Sequence, residues 1–333
     1  MNFRRHLPMY WRVTAAFVAV GVVWGSAWIP TSALSQALPG LAAGAWRFGL
    51  AATALAIAEV LLRLRARAGR RSPVGRLLVP SVVLGVTMLG LPYALTVWAA
   101  GRVSPGIVAL CFGLMPLAVL LFEGDEAGLA GQGSAITAVV LGIGGVAMLV
   151  APGISFGWQQ AVGILALLAA MGLGGFSLIY VRGLYARGRL RDGDLLTFSA
   201  IQLGVASVLL TVLNMGSEPG TLVPSMKTAA LPLALLSIGV SGGTLPLLYW
   251  MLGRMSAWRA ATLQWMSTLV AVAEAAAILR ARPAAEGWVG AALVPGVLLW
   301  IFLCAQRGGA GAVTLQITKH TFLPVRASDI RRK

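Results

Sequence analysis

The chain of 333 residues is strongly apolar and basic: 58% of its residues are hydrophobic, 11% are charged, and the mean hydropathy is +0.85. Because a soluble protein of this size needs roughly a quarter of its residues charged to cover its surface, the composition excludes a soluble enzyme and a nucleic-acid-binding protein. The formal net charge of +16 instead predicts contact with the anionic headgroups of a lipid bilayer.

Ten apolar segments follow one another along the chain, each about as long as the 20 residues that an α-helix needs to cross a bilayer. Two pairs of segments almost touch, and they are separated only by the turn-forming sequences Gly101–Pro105 and Gly253–Ser256. The sequence therefore predicts an all-α integral membrane protein with ten transmembrane helices. We place them at 14–34, 41–62, 77–99, 104–122, 133–151, 160–181, 195–213, 229–252, 257–279 and 286–304.

The basic residues predict the orientation of these spans, because cytoplasmic loops carry an excess of Lys and Arg. With the N-terminus inside, 21 of the 26 Lys and Arg residues lie on the cytoplasmic side. Both termini are therefore expected in the cytoplasm. Residues 1–13 form the cytoplasmic N-terminus, and residues 305–333 form a basic tail whose polar composition predicts disorder.

The two halves of the chain share a sequence pattern. Gly85-Val86 and Leu91-Pro92 in the third span reappear as Gly239-Val240 and Leu245-Pro246 in the eighth, 154 residues later. We infer a repeat of five spans, covering 14–151 in the first unit and 152–304 in the second. An odd number of spans inverts the second unit relative to the first, and inverted repeats are typical of secondary transporters.

Several short motifs carry a resemblance to a known family. They are Trp24-Gly25-Ser26, Trp46-Arg47-Phe48 through Ala51, Pro92 through Trp98, Ser104, Met115-Pro116-Leu117 and Glu123, with Gly142 and Gly145 in the fifth span. With these residues the chain resembles the EamA-type branch of the drug/metabolite transporter superfamily, from residue 14 to about residue 304. The second unit departs from the pattern: Gln202 replaces Arg47, and Ser267-Thr268 replaces Met115-Pro116.

The resemblance implies ten helices in two inverted repeats and export, or facilitated exchange, of small metabolites by alternating access. Amino acids are a common substrate class of such proteins, and a bacterial inner (plasma) membrane is the expected location. The tryptophans would also suit efflux of cationic or amphiphilic drugs, which is the alternative within transport. The resemblance further implies that the first, third, fourth, sixth, eighth and ninth helices surround the substrate.

Polar and aromatic side chains on those helices are the candidates for a substrate cavity. In lipid, polar atoms need protein or water partners, so polar helix faces should point inward; the alternative is that they bond across packed helices. Aromatic rings bind apolar or cationic groups, or anchor helices at the interface. The predicted cavity residues are Trp24, Trp28, Tyr93, Trp98, Ser241, Thr244, Tyr249, Gln264, Trp265 and Ser267.

Two charged residues, Arg47 and Glu274, lie within predicted spans. Charges inside a membrane are costly and are usually paired or functional. One hypothesis is that Arg47 and Glu274 form an ion pair; others are that Arg47 is purely structural or meets a substrate carboxylate, and that Glu274 carries a proton or faces a cavity unpaired. Pro92 and Pro246 occupy equivalent repeat positions and predict either paired gating bends or static curvature.

The sequence offers little for catalysis or metal binding. Cys111 and Cys304 lie in apolar segments, His6 and His320 lie near the termini, and no HExxH or Walker A motif is present. The GxSxG match at residues 239–243 lies within the predicted eighth span and not at a strand–helix turn. An intramembrane enzyme is therefore the weakest alternative. We expect a non-enzymatic transporter without metal or cofactor, whose partners are a small-molecule substrate and the bilayer.

Overall fold

The structure is a computed structural model that describes residues 9–65, 72–123, 129–150, 157–217, 226–279, 289–290 and 292–301. Throughout these ranges the chain forms helices joined by turns, and it contains no strand. The predicted basic tail at 305–333 and most of the predicted N-terminal segment lie outside the described residues.

The first half of the chain contains eight α-helices and one π-helix. They are α1 (Met9–Ser26), α2 (Trp28–Ser35), α3 (Gly40–Arg65), α4 (Val74–Leu84), the first π-helix (Gly85–Gly90), α5 (Leu91–Ala100), α6 (Pro105–Gly113), α7 (Met115–Glu123) and α8 (Leu129–Val150).

The second half repeats this alternation of long and interrupted helices. Its elements are α9 (Trp158–Ala186), a short 3₁₀ turn (Asp192–Asp194), α10 (Leu195–Ser217), α11 (Met226–Ala234), the second π-helix (Leu235–Gly243), α12 (Thr244–Leu252), α13 (Ala257–Ala261), α14 (Leu263–Leu279) and α15 (Ala292–Ile301).

Seven helical segments of the described chain are long and apolar enough to cross a membrane. They are Met9–Ser35, Gly40–Arg65, Val74–Ala100, Trp158–Ala186, Asp192–Ser217, Thr228–Leu252 and Ala257–Ile278. Three shorter apolar helices, Gly106–Leu120, Ile136–Met148 and Ala292–Ile301, fall within the predicted fourth, fifth and tenth spans. The prediction of an all-α, multi-pass membrane protein is thereby confirmed.

The two nearly continuous apolar stretches are interrupted where the glycines predicted it. The chain leaves helical structure at residues 101–104, between α5 and α6, and again at residues 253–256, between α12 and α13. In both turns a glycine ends the preceding helix, and a serine in extended conformation precedes the next one. Each stretch is therefore two helices and not one.

The centre of the fold is the packing of α3 against α10. The first π-helix packs on α10 and the second on α3, while α1 packs along α14 and α9 packs along α5, α6 and α7. Glycines allow the closest approaches: a Cβ atom at Gly21 of α1 would lie 2.3 Å from Met266 Cγ of α14. Small residues at helix contacts are what brings helices together in lipid, where the hydrophobic effect does not.

A carboxylate ties three helices together at the end of α7. Glu123 accepts hydrogen bonds from the backbone N–H groups of Ala257 (2.7 Å) and Trp258 (2.9 Å), and its Oε1 lies 3.3 Å from Nε of Arg182. The N–H groups at the start of a helix have no partner within that helix. Glu123 therefore caps α13 and joins it to α7 and α9.

Candidate functional site

Two adjacent cavities share a wall in the helical bundle, and the second of them is largely open to the outside. Their volumes are about 180 Å³ and 250 Å³, and both are lined by Met88, Leu89, Pro92 and Phe112. Because ligand pockets typically have volumes of about 300 to 1,000 Å³, the two together offer space for a small organic molecule.

The first cavity is enclosed by helices from both halves of the chain. Its lining comes from α1, from the first π-helix with α5, from α6 with α7, and from α9, α12, α13 and α14. The lining residues are Trp24, Met88, Leu89, Pro92, Phe112, Met115, Ala170, Gly174, Leu178, Leu245, Leu248, Ala260, Ala261, Leu263 and Gln264. The second cavity adds Phe48 from α3, and Tyr93 and Thr96 from α5.

Both cavities are apolar, and no charged side chain of the described chain lines either one. The indole N–H of Trp24 donates to Thr244 Oγ1 (2.7 Å), and the Thr96 hydroxyl donates to the carbonyl of Pro92 (2.7 Å). Gln264 differs, since its side-chain amide has no hydrogen-bond partner among the described residues. Gln264 is therefore the polar group best placed to meet a ligand in the first cavity.

Four of the residues predicted from sequence line the cavities, and Thr244 supports one of them. Trp24 and Gln264 face the first cavity, Tyr93 faces the second, and Pro92 borders both. Thr244 is buried behind Trp24 and fixes the plane of its ring through their hydrogen bond.

The remaining predicted residues lie elsewhere. Tyr249 and Trp265 are fully buried: the hydroxyl of Tyr249 donates to the side-chain oxygen of Gln202, and the indole of Trp265 donates to the carbonyl of Gly113 (2.9 Å). Trp98 is 43% exposed beneath the guanidinium of Arg102, 3.7 Å away. Ser267 donates back to the carbonyl of Gln264. The structure therefore gives these side chains packing contacts.

Arg47 and Glu274 have separate partners. Nε of Arg47 donates to the hydroxyl of Ser241 (2.7 Å), and its guanidinium lies 5.6 Å from the ring centre of Phe48. Glu274 accepts from Ser26 (2.5 Å) and from the indole of Trp28 (3.2 Å). The hypothesis of an Arg47–Glu274 ion pair is thus wrong for the described chain, because each group hydrogen-bonds instead to uncharged side chains.

The two prolines stand just after the two π-helices. Pro92 is the second residue after Gly90, and Pro246 is the third after Gly243. A proline has no N–H to donate to the preceding turn, and a widened π-turn is one way in which a helix absorbs that loss. Whether these segments bend during function is a prediction that the static geometry does not test.

Sequence reasoning missed the apolar residues that form most of the cavity wall. Met88, Leu89, Phe112 and Leu178 are the kind of residues that also face lipid elsewhere in the chain. Apolar side chains carry no sequence signal that separates a cavity wall from a lipid-facing surface, since both are equally hydrophobic. Met115 is the exception, because it belongs to the Met115-Pro116-Leu117 motif.

The hydrogen bond behind Trp24 provides a first test of this geometry. Thr244→Val keeps the shape of the side chain but leaves the indole N–H without its acceptor, which costs about 1 to 3 kcal/mol when the group is buried. We expect a lower thermal unfolding midpoint in detergent, measured by tryptophan fluorescence. Thr96→Val, whose hydroxyl bonds only to the backbone of its own helix, is the control and should change the midpoint much less.

The comparisons with known proteins agree with this fold. No family model matches the chain, and no curated protein matches it. Among solved structures 17 chains match. One of them, described only as "Crystal structure of protein", is 21% identical, with a TM-score of 0.71 over 89% of this chain and 98% of that chain. The fold and site thus define the class: an α-helical, multi-pass membrane protein with an apolar central cavity.

Proposed function

We propose that the chain is a secondary transporter of the EamA type, within the drug/metabolite transporter superfamily, that exports or exchanges small metabolites by alternating access. The observation that carries the proposal is the apolar cavity whose walls come from both halves of the chain. A cavity placed between two packed units changes its accessible side when the units move against each other.

The pattern of helix contacts supports two inverted repeats of five spans each. The first π-helix packs on α10 as the second packs on α3, and α1 packs on α14 as α9 packs on α6 and α7. Each contact therefore has a counterpart in which every helix is replaced by the helix five spans away in the proposed order. Three shorter apolar segments complete the proposed ten-span arrangement. The pair α6 and α7 takes the fourth position, α8 the fifth and α15 the tenth.

The positive charges support an orientation with both ends in the cytoplasm of a cell with an inner (plasma) membrane. Glu123 and the turn at 253–256 then lie on the cytoplasmic side, together with Arg182 and Arg254. In this arrangement the Glu123 contact closes the cytoplasmic end of the bundle between the fourth, sixth and ninth spans.

The chemistry of the cavity narrows the substrate class. A charged group transferred into apolar surroundings loses its hydration, so a cavity without charges favours apolar molecular bodies. Every amino acid carries a charged ammonium and a charged carboxylate, so those with apolar side chains bring the least further charge and are the members of the predicted class that fit this lining best. Lipophilic organic cations are the second candidate, because the rings of Trp24, Tyr93 and Phe112 line the cavities, and aromatic rings bind cations.

Counterflow in proteoliposomes tests the proposal. Vesicles containing the full chain are preloaded with unlabelled L-phenylalanine, L-aspartate or tetraphenylphosphonium, and uptake of the labelled compound is followed. We expect transient accumulation of phenylalanine and none of aspartate. Accumulation of tetraphenylphosphonium alone would replace the amino-acid assignment by the drug assignment. Absence of exchange for all three by a folded protein would contradict both.

Two glycines of α9 provide a matched pair of variants for the cavity itself. Gly174 lines the cavity, and a Cβ atom there would meet only the flexible end of Met115, at 3.1 Å; Gly172 is exposed and has nothing within 4 Å. Gly174→Leu should fill the cavity and reduce counterflow at least tenfold, whereas Gly172→Leu should leave it near the wild-type rate. Equal rates in the two variants would show that substrate does not use this cavity.

A further inference from the structure

We propose that Arg47 binds the carboxylate group of the substrate at the edge of the central cavities. The inference rests on the transport function proposed above, and it narrows the substrate class to small carboxylic acids with an apolar body. Arg47 follows Gly40, the first residue of α3, by seven residues, or about 10 Å along the helix axis. It is therefore a charged group inside an apolar segment.

No carboxylate of the described chain neutralises Arg47. The five Asp and Glu side chains of these residues are bonded to other groups: Glu59 to Arg63, Glu123 to Arg182, Asp192 to Arg254, Asp194 to Ser72, and Glu274 to Ser26 and Trp28. A charge within a membrane segment is costly, and it is usually paired or functional. Because Arg47 has no ion pair among the described residues, a ligand is the natural source of the missing negative charge.

Only one nitrogen of the Arg47 guanidinium is bonded to the protein. Nε donates to Ser241 Oγ at 2.7 Å, and the two terminal amino groups have no hydrogen-bond partner among the described residues. Both amino groups touch space that a water molecule can reach, although the residue is partly buried. A guanidinium binds a carboxylate through two parallel N–H donors. The edge formed by Nη1 and Nη2 is free to do so, while the bond from Nε holds the plane of the group.

Arg182 shows how an arginine with a structural role is held in the same fold. Its Nε lies 3.3 Å from Oε1 of Glu123, and its Nη1 donates to the backbone carbonyls of Leu252 (3.4 Å) and Met255 (2.7 Å). Arg182 thus spends its charge and its donors on neighbouring helices. Arg47 makes one bond, to a neutral hydroxyl, so helix packing leaves most of its donors unused.

The aromatic neighbours of Arg47 connect it to the second cavity. Its guanidinium carbon lies 5.6 Å from the ring centre of Phe48, and its charge interacts with Tyr93. The two rings pack edge to face, with their centres 5.3 Å apart, and both line the second cavity. The hydroxyl of Tyr93 has no hydrogen-bond partner among the described residues, so it is a further donor that a carboxylate could use.

The second π-helix connects Arg47 to the first cavity. Ser241 lies in this π-helix, and Thr244, which directly follows it, bonds to Trp24 in the wall of the first cavity. Widened turns of this kind are rare and often occur at functional sites. Arg47 therefore lies where α3, α5 and the second π-helix meet, beside the walls of both cavities.

This position selects one class of ligand. An organic carboxylate can bond to Arg47 while its apolar body occupies the cavities, so its charge does not enter apolar surroundings without a partner. Amino acids with apolar side chains have this form, and so do the corresponding acids without an amino group. Lipophilic organic cations lack the carboxylate and are repelled by the guanidinium.

Chemical modification of the wild-type full chain tests the site without transport. Phenylglyoxal reacts with accessible arginine side chains, and peptide mass spectrometry measures the modification of each one. We expect 3-phenylpropionate to protect Arg47 at a concentration about tenfold lower than phenethylamine, because charge-assisted hydrogen bonds are strong. Arg102, which stacks on Trp98 at the surface, should not be protected. Absence of reaction at Arg47, or equal protection by the two compounds, would overturn the proposal.

Variants at Arg47 separate ligand binding from stability. The unfolding midpoint in detergent is followed with increasing L-phenylalanine or L-phenylalaninamide, which lacks the carboxylate. Wild type should reach the same stabilisation with about tenfold less phenylalanine than amide. This preference should persist in Arg47→Lys, which keeps the charge, and in Arg102→Gln, and it should vanish in Arg47→Gln. A folded Arg47→Gln protein that keeps the wild-type preference would contradict the assignment.

Counterflow distinguishes failure of the site from failure of the transport function. Exchange of phenylalanine by Arg47→Gln with the wild-type rate and half-saturating concentration would refute the carboxylate site and leave the transport function intact. Protection of Arg47 by 3-phenylpropionate, combined with no exchange of any carboxylate, would refute the transport function and leave the binding site standing.

Discussion

Replacing Glu123 by glutamine is expected to destabilise the protein by about 2 to 4 kcal/mol and to loosen the packing of α7, α9 and α13. Loss of one partner of a buried ion pair typically costs about 3 to 5 kcal/mol; the lower range applies here because the side chain of Arg182 is 31% exposed, although that of Glu123 is only 6% exposed. An amide has one acceptor oxygen, so it can cap Ala257 or Trp258, and it leaves Arg182 without its carboxylate.

Thermal unfolding in detergent measures the stability change, and Asp192→Asn is the matched control. Asp192 also pairs with an arginine, Arg254, on the same side of the molecule, but its side chain is 48% exposed. Exposed ion pairs contribute about 0 to 1 kcal/mol. We expect a clear drop in the unfolding midpoint for Glu123→Gln and a small one for Asp192→Asn. Equal drops would mean that Glu123 acts as an ordinary surface charge.

The same variant should change which side of the cavity is accessible. Ala261 lines the cavity and is the last residue of α13, the short helix that Glu123 caps. In a chain whose own cysteines are replaced by serine, Ala261→Cys should react faster with a membrane-impermeant thiol reagent, added on the side of the membrane where Glu123 lies, when Glu123→Gln is present. Unchanged labelling would show that this contact does not close the cavity.

The helical architecture was predictable because it follows from large, additive signals. Each span places about 20 apolar residues in lipid, and an α-helix is the structure in which a single segment satisfies its own backbone groups there. The turns at 101–104 and 253–256 were predictable from glycine and serine for the same local reason. The π-helices Gly85–Gly90 and Leu235–Gly243 were not, because their hydrogen-bond register depends on how α10 and α3 pack against them.

The residues of the candidate site were predictable from the sequence only where a side chain has both an apolar part and a polar atom. Trp24, Tyr93 and Gln264 combine apolar bodies with a polar atom that must find a partner, so their place inside the bundle could be inferred. The hydrogen-bond partners of these and other polar residues could not be inferred from the sequence. Arg47 and Glu274 have opposite charges within spans, yet Arg47 meets Ser241 and Glu274 meets Ser26 and Trp28, since the rotation of each helix, and not its composition, decides which side chains touch.

The packing of Trp265 between α14 and its neighbouring helices gives a strong test of the helix arrangement. Its ring is fully buried, its indole N–H donates to the carbonyl of Gly113 at 2.9 Å, and its far edge lies against Gly142 of α8. It thereby joins α14 to α6 and α8. A Cβ atom at Gly142 would lie 2.3 Å from Cη2 of the ring, well inside van der Waals contact.

Gly142→Ala is therefore expected to destabilise the protein by about 2 to 5 kcal/mol. Overpacking of a close contact costs about 1 to 3 kcal/mol, and a ring that moves away leaves its buried N–H unpaired, at about 1 to 3 kcal/mol more. Gly144→Ala, two residues along the same helix, meets nothing within 4 Å. It should stabilise the protein by about 0.5 to 1 kcal/mol, because alanine loses less backbone entropy in a helix than glycine.

The opposite signs of these two alanine substitutions separate packing from helix propensity, which changes equally in both. Unfolding midpoints in the same detergent give the comparison, and the double variant Gly142→Ala/Trp265→Phe identifies the contact responsible. A smaller ring has room for the added methyl group, so the cost of Gly142→Ala should shrink in the Trp265→Phe background, the signature of two directly coupled residues. If Gly142→Ala and Gly144→Ala changed stability alike, Trp265 would not pack against α8, and the contact between α8 and α14 would have to come from other residues.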